Sequence, residues 1–135
     1  MAEPFIWPVR VYYEDTDFGG LVYNANYLKY MERARSELLR HLGVDQVVLK
    51  ERHNKIFVVT DIEIKFQKPG RFDDELLATA EIVSQSRVKM IFQQDVLRGG
   101  LEGERLTSAR VGAACLDAET LRPQRLPKSL QELIQ

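Results

Sequence analysis

One long amphipathic helix stands against several long segments of alternating residues, and this imbalance limits the folds open to the chain. Apolar residues recur at helical spacing over 26–42, which predicts a helix that is long for a domain of this size. Asn24 or Asn26 is its expected N-cap. A shorter helix is predicted from Asp45 to Arg52, with the side chain of Asp45 as its N-cap.

The other ordered segments alternate apolar and polar residues with period two, which is typical of β-strands. They cover 5–13, 62–66, 76–86, 88–97 and 106–116, and a last short helix is expected over 128–134. Long antiparallel strands curl through their own twist, so the long helix can fill the concave face. We therefore predict an α+β fold, a long antiparallel sheet wrapped around one long central helix, in a single domain over 1–135. Such an open sheet leaves edges, which favours an oligomer.

Composition excludes several classes of function. Lysine and arginine number 19 against 20 aspartates and glutamates, a net charge of -1, which argues against a dedicated nucleic-acid-binding module. The single cysteine allows no intrachain disulfide, and with only 2 histidines a zinc site is not expected. No apolar run is long enough to span a membrane, and the N-terminal residues lack the pattern of a signal peptide. A cytoplasmic location is therefore expected.

The segment 14–20 combines carboxylates with a glycine pair and leads directly into the long helix. Free N–H groups at a helix N-terminus carry partial positive charge and can hold the oxyanion of a reacting carbonyl. A nearby Asp17 could act as nucleophile or base, which suits hydrolysis of an acyl bond. The structural alternative is that Asp17 forms an Asx turn, as we expect of Asp15, while Gly19 and Gly20 serve the backbone conformation.

Histidines, acids, tyrosines and basic residues elsewhere give weaker signals. The sequence pattern pairs neither His41 nor His53 with a nucleophile, and the acids at 73–75 are interpreted as a turn rather than a metal site. Four tyrosines near the loop could line a pocket or pack in the core: Tyr12, Tyr13, Tyr23 and Tyr27. Basic side chains at the turns could meet phosphates or simply face solvent: Lys65, Lys68, Arg71, Arg87, Lys89 and Arg98.

Segments 9–27, 32–35, 66–74 and 122–129 together resemble the 4-hydroxybenzoyl-CoA thioesterase family of hotdog-fold proteins. They are most similar to its YbgC-type branch, the acyl-CoA thioesterases associated with the Tol–Pal system. The resemblance covers nearly the whole chain. It implies the hotdog fold, a homodimer whose sheets join, commonly a homotetramer built from two dimers, and substrate bound between protomers.

The resemblance also implies which residues act. The family's catalytic aspartate falls on Asp17, its loop glycine on Gly20, and the backbone N–H that polarises the thioester carbonyl at or beside Asn24. The YbgC-type branch usually carries histidine where this chain has Asn24, and asparagine is neither acid nor base near neutral pH. Family members without that histidine still use the backbone amide, so we expect the mechanism to persist.

The leading hypothesis is an acyl-CoA thioesterase that releases free acid and CoA, with Asp17 as nucleophile or general base. No cofactor or metal ion is expected, because a thiolate is a good leaving group. Arg87 and Lys89 are the expected contacts of the nucleotide. The acyl group is expected to meet apolar and aromatic side chains, namely Tyr23, Tyr27, Phe57 and Val59.

Two other functions stay open at this stage. One is a non-catalytic module on the same fold that binds acyl-CoA or acyl carrier protein, a reading that Asn24 favours. The other is a hydratase, which normally needs a positioned histidine, and neither His41 nor His53 lies near the Asp17 loop in the sequence. A carrier-protein thioester is likewise an open alternative to a CoA thioester as substrate.

Overall fold

A computed structural model describes residues 3–133 of the chain. The strands are β1 (Phe5–Arg10), β2 (Lys55–Phe66), β3 (Glu75–Gln85), β4 (Lys89–Arg98) and β5 (Glu104–Asp117). The helices are α1 (Asn24–His41), α2 (Gln46–His53) and α3 (Lys128–Gln131), with a short 3₁₀ helix at Tyr13–Asp15. All strand pairs are antiparallel, and they form one five-stranded sheet in the order β1-β3-β4-β5-β2. The predicted α+β architecture is confirmed.

The inner face of α1 provides much of the core. Its buried side chains pack mainly over β1, β3 and β4: Tyr27, Tyr30, Met31, Ala34, Leu38 and Leu39. They repeat three or four positions apart, as the helical spacing of the sequence predicted. Between residues 3 and 133, no helix has the length and apolar character that a membrane crossing requires.

The boundaries of three elements can be compared closely with prediction. Helix α2 begins after Asp45, whose carboxylate accepts from Val47 N at 3.0 Å and Val48 N at 3.1 Å, so the predicted N-cap is confirmed. Strand β1 ends at Arg10 rather than at position 13, because the chain turns into the 3₁₀ helix. Helix α3 ends at Gln131, before the predicted end at 134, which lies outside the described residues.

A β-bulge in β2 accounts for a strand longer than the predicted 62–66. Val59 pairs with Ala113 and Asp61 with Gly112, so the residue between them, Thr60, is extra. Five apolar side chains from both sides of the bulge thereby point to one face, since each pairs with an odd-numbered residue of β5: Phe57, Val59, Ile62, Ile64 and Phe66. Without the bulge, the two halves of β2 would present their apolar residues to opposite faces.

Strand β2 lies at one edge of the sheet and is poorly covered within the chain. Its helix-facing side chains stay accessible, with Val59 exposed to 41%, Ile62 to 40% and Phe66 to 47%. On the same face of the sheet, helix α1 lies mainly over β1, β3 and β4 rather than over β2. The exposed helix-facing side chains of β2 form an apolar half-face of the sheet. The outer edge of β2 has no neighbour among the described strands.

Candidate functional site

The loop that precedes α1 is closed by its own backbone. Asp17 N donates to Leu21 O at 2.8 Å, and Gly20 N donates to Asp17 O at 3.1 Å. Gly20 has a φ of +78°, a left-handed conformation that side chains rarely adopt. This turn directs residues 21–23 back towards the sheet and sets where α1 begins.

The Asp17 carboxylate is held by one oxygen and free at the other. Its Oδ1 accepts from Gly19 N at 2.9 Å and from Leu21 N at 3.2 Å, which is the Asx-type arrangement considered above. Among the described residues, none donates a hydrogen bond to Oδ2. The residue is exposed, so the turn orients the carboxylate while one oxygen stays available to a ligand.

Helix α1 begins without a side-chain cap. Tyr23, not Asn24 or Asn26, is the N-cap residue, so the predicted cap is wrong. Asn24 is the first helical residue, and its N–H is one of those for which a helix has no internal acceptor. Within residues 3–133, no backbone carbonyl accepts from it. The Asn24 N–H is therefore an exposed donor at the positive end of the helix dipole.

One pocket of about 250 Å³ brings Asp17, Asn24 and Tyr27 together. Phe66 and Lys68 also line this pocket; Phe66 was not predicted for the site, and Lys68 was considered only among the basic residues that could meet phosphates. The alternation of Ile62, Ile64 and Phe66 was the signal that could have placed Phe66 on the helix-facing side. A carboxylate and a free backbone donor thus share one cavity, which is what attack on a carbonyl requires.

Tyr27 forms a wall of the pocket and also anchors a second loop. Its hydroxyl accepts from Gly70 N at 2.8 Å, and its ring lies 5.8 Å from that of Phe66. Burial raises the pKa of the Tyr27 hydroxyl. Tyr23, by contrast, is 57% exposed at the helix start. Of the two tyrosines predicted to meet substrate, Tyr27 lies in the pocket wall and Tyr23 at the surface.

A buried carboxylate ties the loop to the helix. Asp15 is only 5% exposed, its Oδ2 accepts from Tyr12 N at 2.8 Å and its Oδ1 accepts from the Asn26 amide at 2.9 Å. Its carbonyl oxygen accepts from Tyr23 N at 2.8 Å. Burial first, and the Asp15 carboxylate second, raise the pKa of Tyr30. Asp15 was predicted only to form a turn, but it also fixes the position of the helix start relative to Asp17.

The remaining predicted site residues lie elsewhere in the chain. Phe57 and Val59 line a separate cavity of about 180 Å³ under α1. Arg87 lies at the turn between β3 and β4, in a pocket that it shares with Arg125. Lys89 pairs with Asp61 at 2.9 Å. Within one chain, the structure therefore does not bring these residues to Asp17.

The acidic run at 73–75 has identified partners. Asp74 accepts from Arg71 N and from Arg98 Nη1, both at 2.9 Å, and Glu75 pairs with Arg10. These contacts close the turn that leads into β3. The interpretation of the run as a turn agrees with this geometry.

A carboxylate and an unpaired helix N–H that line one pocket suit acyl transfer, and comparison with known proteins gives the family. The sequence model of the thioesterase superfamily matches residues 19–103. The chain belongs to this superfamily, which confirms both the resemblance and the expected class of enzyme, a thioester hydrolase.

Individual relatives are similar over nearly their full length. The acyl-CoA thioester hydrolase YbgC of Escherichia coli O157:H7 is 41% identical, over 93% of this chain and 92% of that protein. The acyl-CoA thioesterase YbgC of Haemophilus influenzae is 39% identical, over 94% of this chain and 91% of that protein. The crystal structure of a probable thioesterase from Bartonella henselae is 34% identical, with a TM-score of 0.86, and covers 93% of this chain and 100% of its own. The hotdog thioesterase fold is confirmed.

The Asp15–Asn26 bond can be tested by comparing two asparagines on the same helical turn. Asn26→Ala should lower the free energy of unfolding by about 1–3 kcal/mol, because a buried carboxylate loses a donor. Asn24→Ala is the control, since that side chain is exposed and should change stability by less than about 0.5 kcal/mol. Urea denaturation of both variants gives the comparison, and equal losses would contradict the assigned role of Asp15.

Proposed function

We propose that the protein hydrolyses an acyl-CoA thioester to a free acid and CoA, with Asp17 and the Asn24 N–H as the reacting and polarising groups. The observation that carries this proposal is that both line one pocket. The curated relatives described as acyl-CoA thioester hydrolases support the substrate class.

In the proposed reaction, the thioester carbonyl oxygen accepts from the Asn24 N–H, where developing negative charge meets the positive end of α1. The free Oδ2 of Asp17 then attacks the carbonyl carbon. The C–S bond breaks, CoA leaves as a thiolate, and water hydrolyses the resulting anhydride. In the other form of the reaction, Oδ2 takes a proton from water while that water attacks the carbonyl carbon, and the C–S bond then breaks to release CoA and the free acid. Both forms use the same contacts.

Asn24 is the reason for keeping a second candidate, a module that binds acyl-CoA without hydrolysis. Its side chain supplies no acid or base near neutral pH. The proposed mechanism asks only for the backbone N–H at this position, and an asparagine provides that as well as a histidine does. Binding without thiol release would favour the second candidate.

Substitution of Asp17 tests the chemistry. Asp17→Asn should lower kcat by about 100-fold or more, because the amide is neither nucleophile nor base, while the Asx turn can still form. Glu14→Gln removes an exposed carboxylate from the same segment and is the matched control. Thiol release from short aliphatic, long aliphatic and aromatic acyl-CoAs is the measurement. Full activity of Asp17→Asn would overturn the assignment.

We also propose a homodimer in which the β2 edges of two copies pair antiparallel about a two-fold axis. The exposed apolar half-face and the free edge of β2 support this, because such surfaces are usually covered. Antiparallel pairing puts the Phe66 end of one β2 beside the Phe57 end of the other. The Asp17 pocket of one copy would then adjoin the Phe57 and Val59 cavity of the second. A homotetramer of two dimers remains a prediction from the resemblance.

Substitution on the exposed half-face tests the dimer. Ile62→Lys should shift the protein from dimer to monomer and abolish most activity, because a charge would be buried in the joined face. Val83→Lys is the control, since Val83 is 36% exposed on β3, which β4 and β5 separate from β2. Sedimentation equilibrium reports the mass of each variant, and an unchanged dimer in Ile62→Lys would contradict this pairing.

The nucleotide of CoA is proposed to lie against the turn between β3 and β4. Arg87 and Arg125 line a pocket of about 400 Å³ there, and two guanidinium groups suit phosphate. Lys89 is proposed to contribute beside them, although in the free chain it is paired with Asp61. A carrier-protein substrate would present its phosphopantetheine to the same pocket without the nucleotide.

Truncated substrates separate nucleotide binding from chemistry. Arg87→Ala should raise KM for an acyl-CoA about tenfold with kcat unchanged, because it removes binding that ground and transition states share. KM for the corresponding acyl-pantetheine, which lacks the nucleotide, should stay the same. Arg52→Ala, an exposed arginine on α2, is the control. Equal effects on both substrates would place the nucleotide elsewhere.

A further inference from the structure

Arg35, a partly buried arginine of α1, contacts a buried polar side chain of β4. Arg35 follows Ala34, which is fully buried, and its Nη1 donates to Gln94 Oε1 at 3.0 Å. Gln94 is itself fully buried, and its amide donates to Met31 O at 2.9 Å and to Thr79 O at 3.1 Å. Both amide protons of Gln94 are therefore used, which holds its side chain so that the oxygen faces Arg35. The hydrogen bond from this fixed oxygen positions the Arg35 guanidinium.

This guanidinium has no acid partner in the part of the chain that the structure describes. None of the ion pairs among residues 3–133 includes Arg35. Burial lowers the pKa of Arg35, and the charge of Glu32, which forms no ion pair with it, raises that pKa by a smaller amount. A guanidinium carries five N–H donors, and only one is used by Gln94. The others are available to a ligand that enters from the open side.

The open side is the cavity of about 180 Å³ that Phe57 and Val59 line. Met90 and Phe92, both almost fully buried, also line it. The cavity is apolar apart from Arg35 and a few groups on helices α1 and α2. It is smaller than the roughly 300–1,000 Å³ of typical ligand sites, so it suits a short acyl group rather than a long chain.

We propose that this cavity binds the far end of a short acyl group that terminates in a carboxylate, which pairs with the Arg35 guanidinium. The inference rests on the proposed function, since pairing of β2 edges brings the cavity next to the Asp17 pocket of a second copy. The apolar walls would hold the methylene chain. The planar guanidinium would bind the terminal carboxylate through two parallel N–H donors. The preferred substrate is then the CoA thioester of a short dicarboxylic acid.

Glu32 lines the same cavity and lies on the same face of α1 as Arg35. It lies one helical turn before Arg35, is exposed, and makes no ion pair with Arg35. Its negative charge would oppose a bound carboxylate, but solvent screens an exposed charge more strongly than a buried one. Substitution of Arg35 and substitution of Glu32 should therefore change the preference for a terminal carboxylate in opposite directions. This is a sharper test than the loss of one contact.

The test compares glutaryl-CoA with 5-methylhexanoyl-CoA, in which two methyl groups replace the two carboxylate oxygens. The quantity measured is the ratio of kcat/KM for the two substrates, so a general loss of active enzyme cancels. Wild type should favour glutaryl-CoA. Arg35→Gln should lower the ratio about 10- to 100-fold, the usual effect of a lost hydrogen bond to a charged group. Arg35→Lys should lie between them, because it keeps the charge without the planar fork.

Two further variants complete the design. Glu32→Gln should raise the ratio, because it removes the opposing charge. Arg40→Gln is the matched control, since Arg40 is an exposed arginine on the same helix that pairs with Glu37, and the ratio should stay at its wild-type value.

The outcomes separate this inference from the proposed function. Hydrolysis of both thioesters with no preference for glutaryl-CoA, or an unchanged ratio in Arg35→Gln, would overturn the inference and leave the thioesterase standing. A monomeric Arg35→Gln variant with an unchanged ratio in its residual activity would mean that Arg35 pairs with a second copy instead, which also overturns it. No thiol release by wild type from any acyl-CoA would overturn the proposed function itself.

Discussion

A single helix of 18 residues packs on the concave face of the five-stranded sheet and leaves part of that face uncovered. Helix α1 lies mainly over β1, β3 and β4, which leaves the inner face of β2 exposed. An apolar face beside an open strand edge is costly in water, and the proposed second copy covers both at once. The uncovered half-face explains why Phe57 and Val59, far from Asp17 in one chain, belong to the proposed site. The proposed division of the site between two copies then follows from the position of α1 over β1, β3 and β4.

The junction between the loop and α1 depends on a different kind of interaction, a buried carboxylate. Asp15 binds Tyr12 N, the Asn26 amide and, through its carbonyl, Tyr23 N. These bonds place the first turn of α1 against the segment that carries Asp17. A helix start without a side-chain cap would normally fray, but here the hydrogen bonds of Asp15 stabilise the first turn of the helix. The Asn24 N–H can therefore stay free, as the proposed contact with the carbonyl oxygen requires.

The sequence predicted the periodic parts of this fold well because those parts follow local rules. The helical spacing of 26–42, the cap at Asp45 and the alternation in β3, β4 and β5 are confirmed. The bulge at Thr60 was not predicted, because residues 56–59 are all apolar and show no alternation that could be compared with the one at 62, 64 and 66. The lack of an acid partner for Arg35 could not be predicted, because it depends on which distant residues surround that side chain. The position of the helix start at Tyr23 rather than at an asparagine likewise depends on Asp15, eight positions earlier, whose carbonyl accepts from Tyr23 N.

The YbgC-type branch usually has histidine where this chain has Asn24, and the proposed mechanism explains why this difference need not matter: it uses the backbone of that residue and not its side chain. In the proposed mechanism the polarising group is a backbone N–H, and its position depends on α1 and on the Asp15 bonds rather than on the Asn24 side chain. Substitution of that side chain changes neither the donor nor the helix dipole. The Asp17 carboxylate has no such substitute, because its free oxygen must carry negative charge. A site built from one carboxylate and one backbone donor can therefore vary at position 24 and in the acyl cavity while the reaction stays the same, and under the further inference the charges of Arg35 and Glu32 would then set which acyl group it accepts.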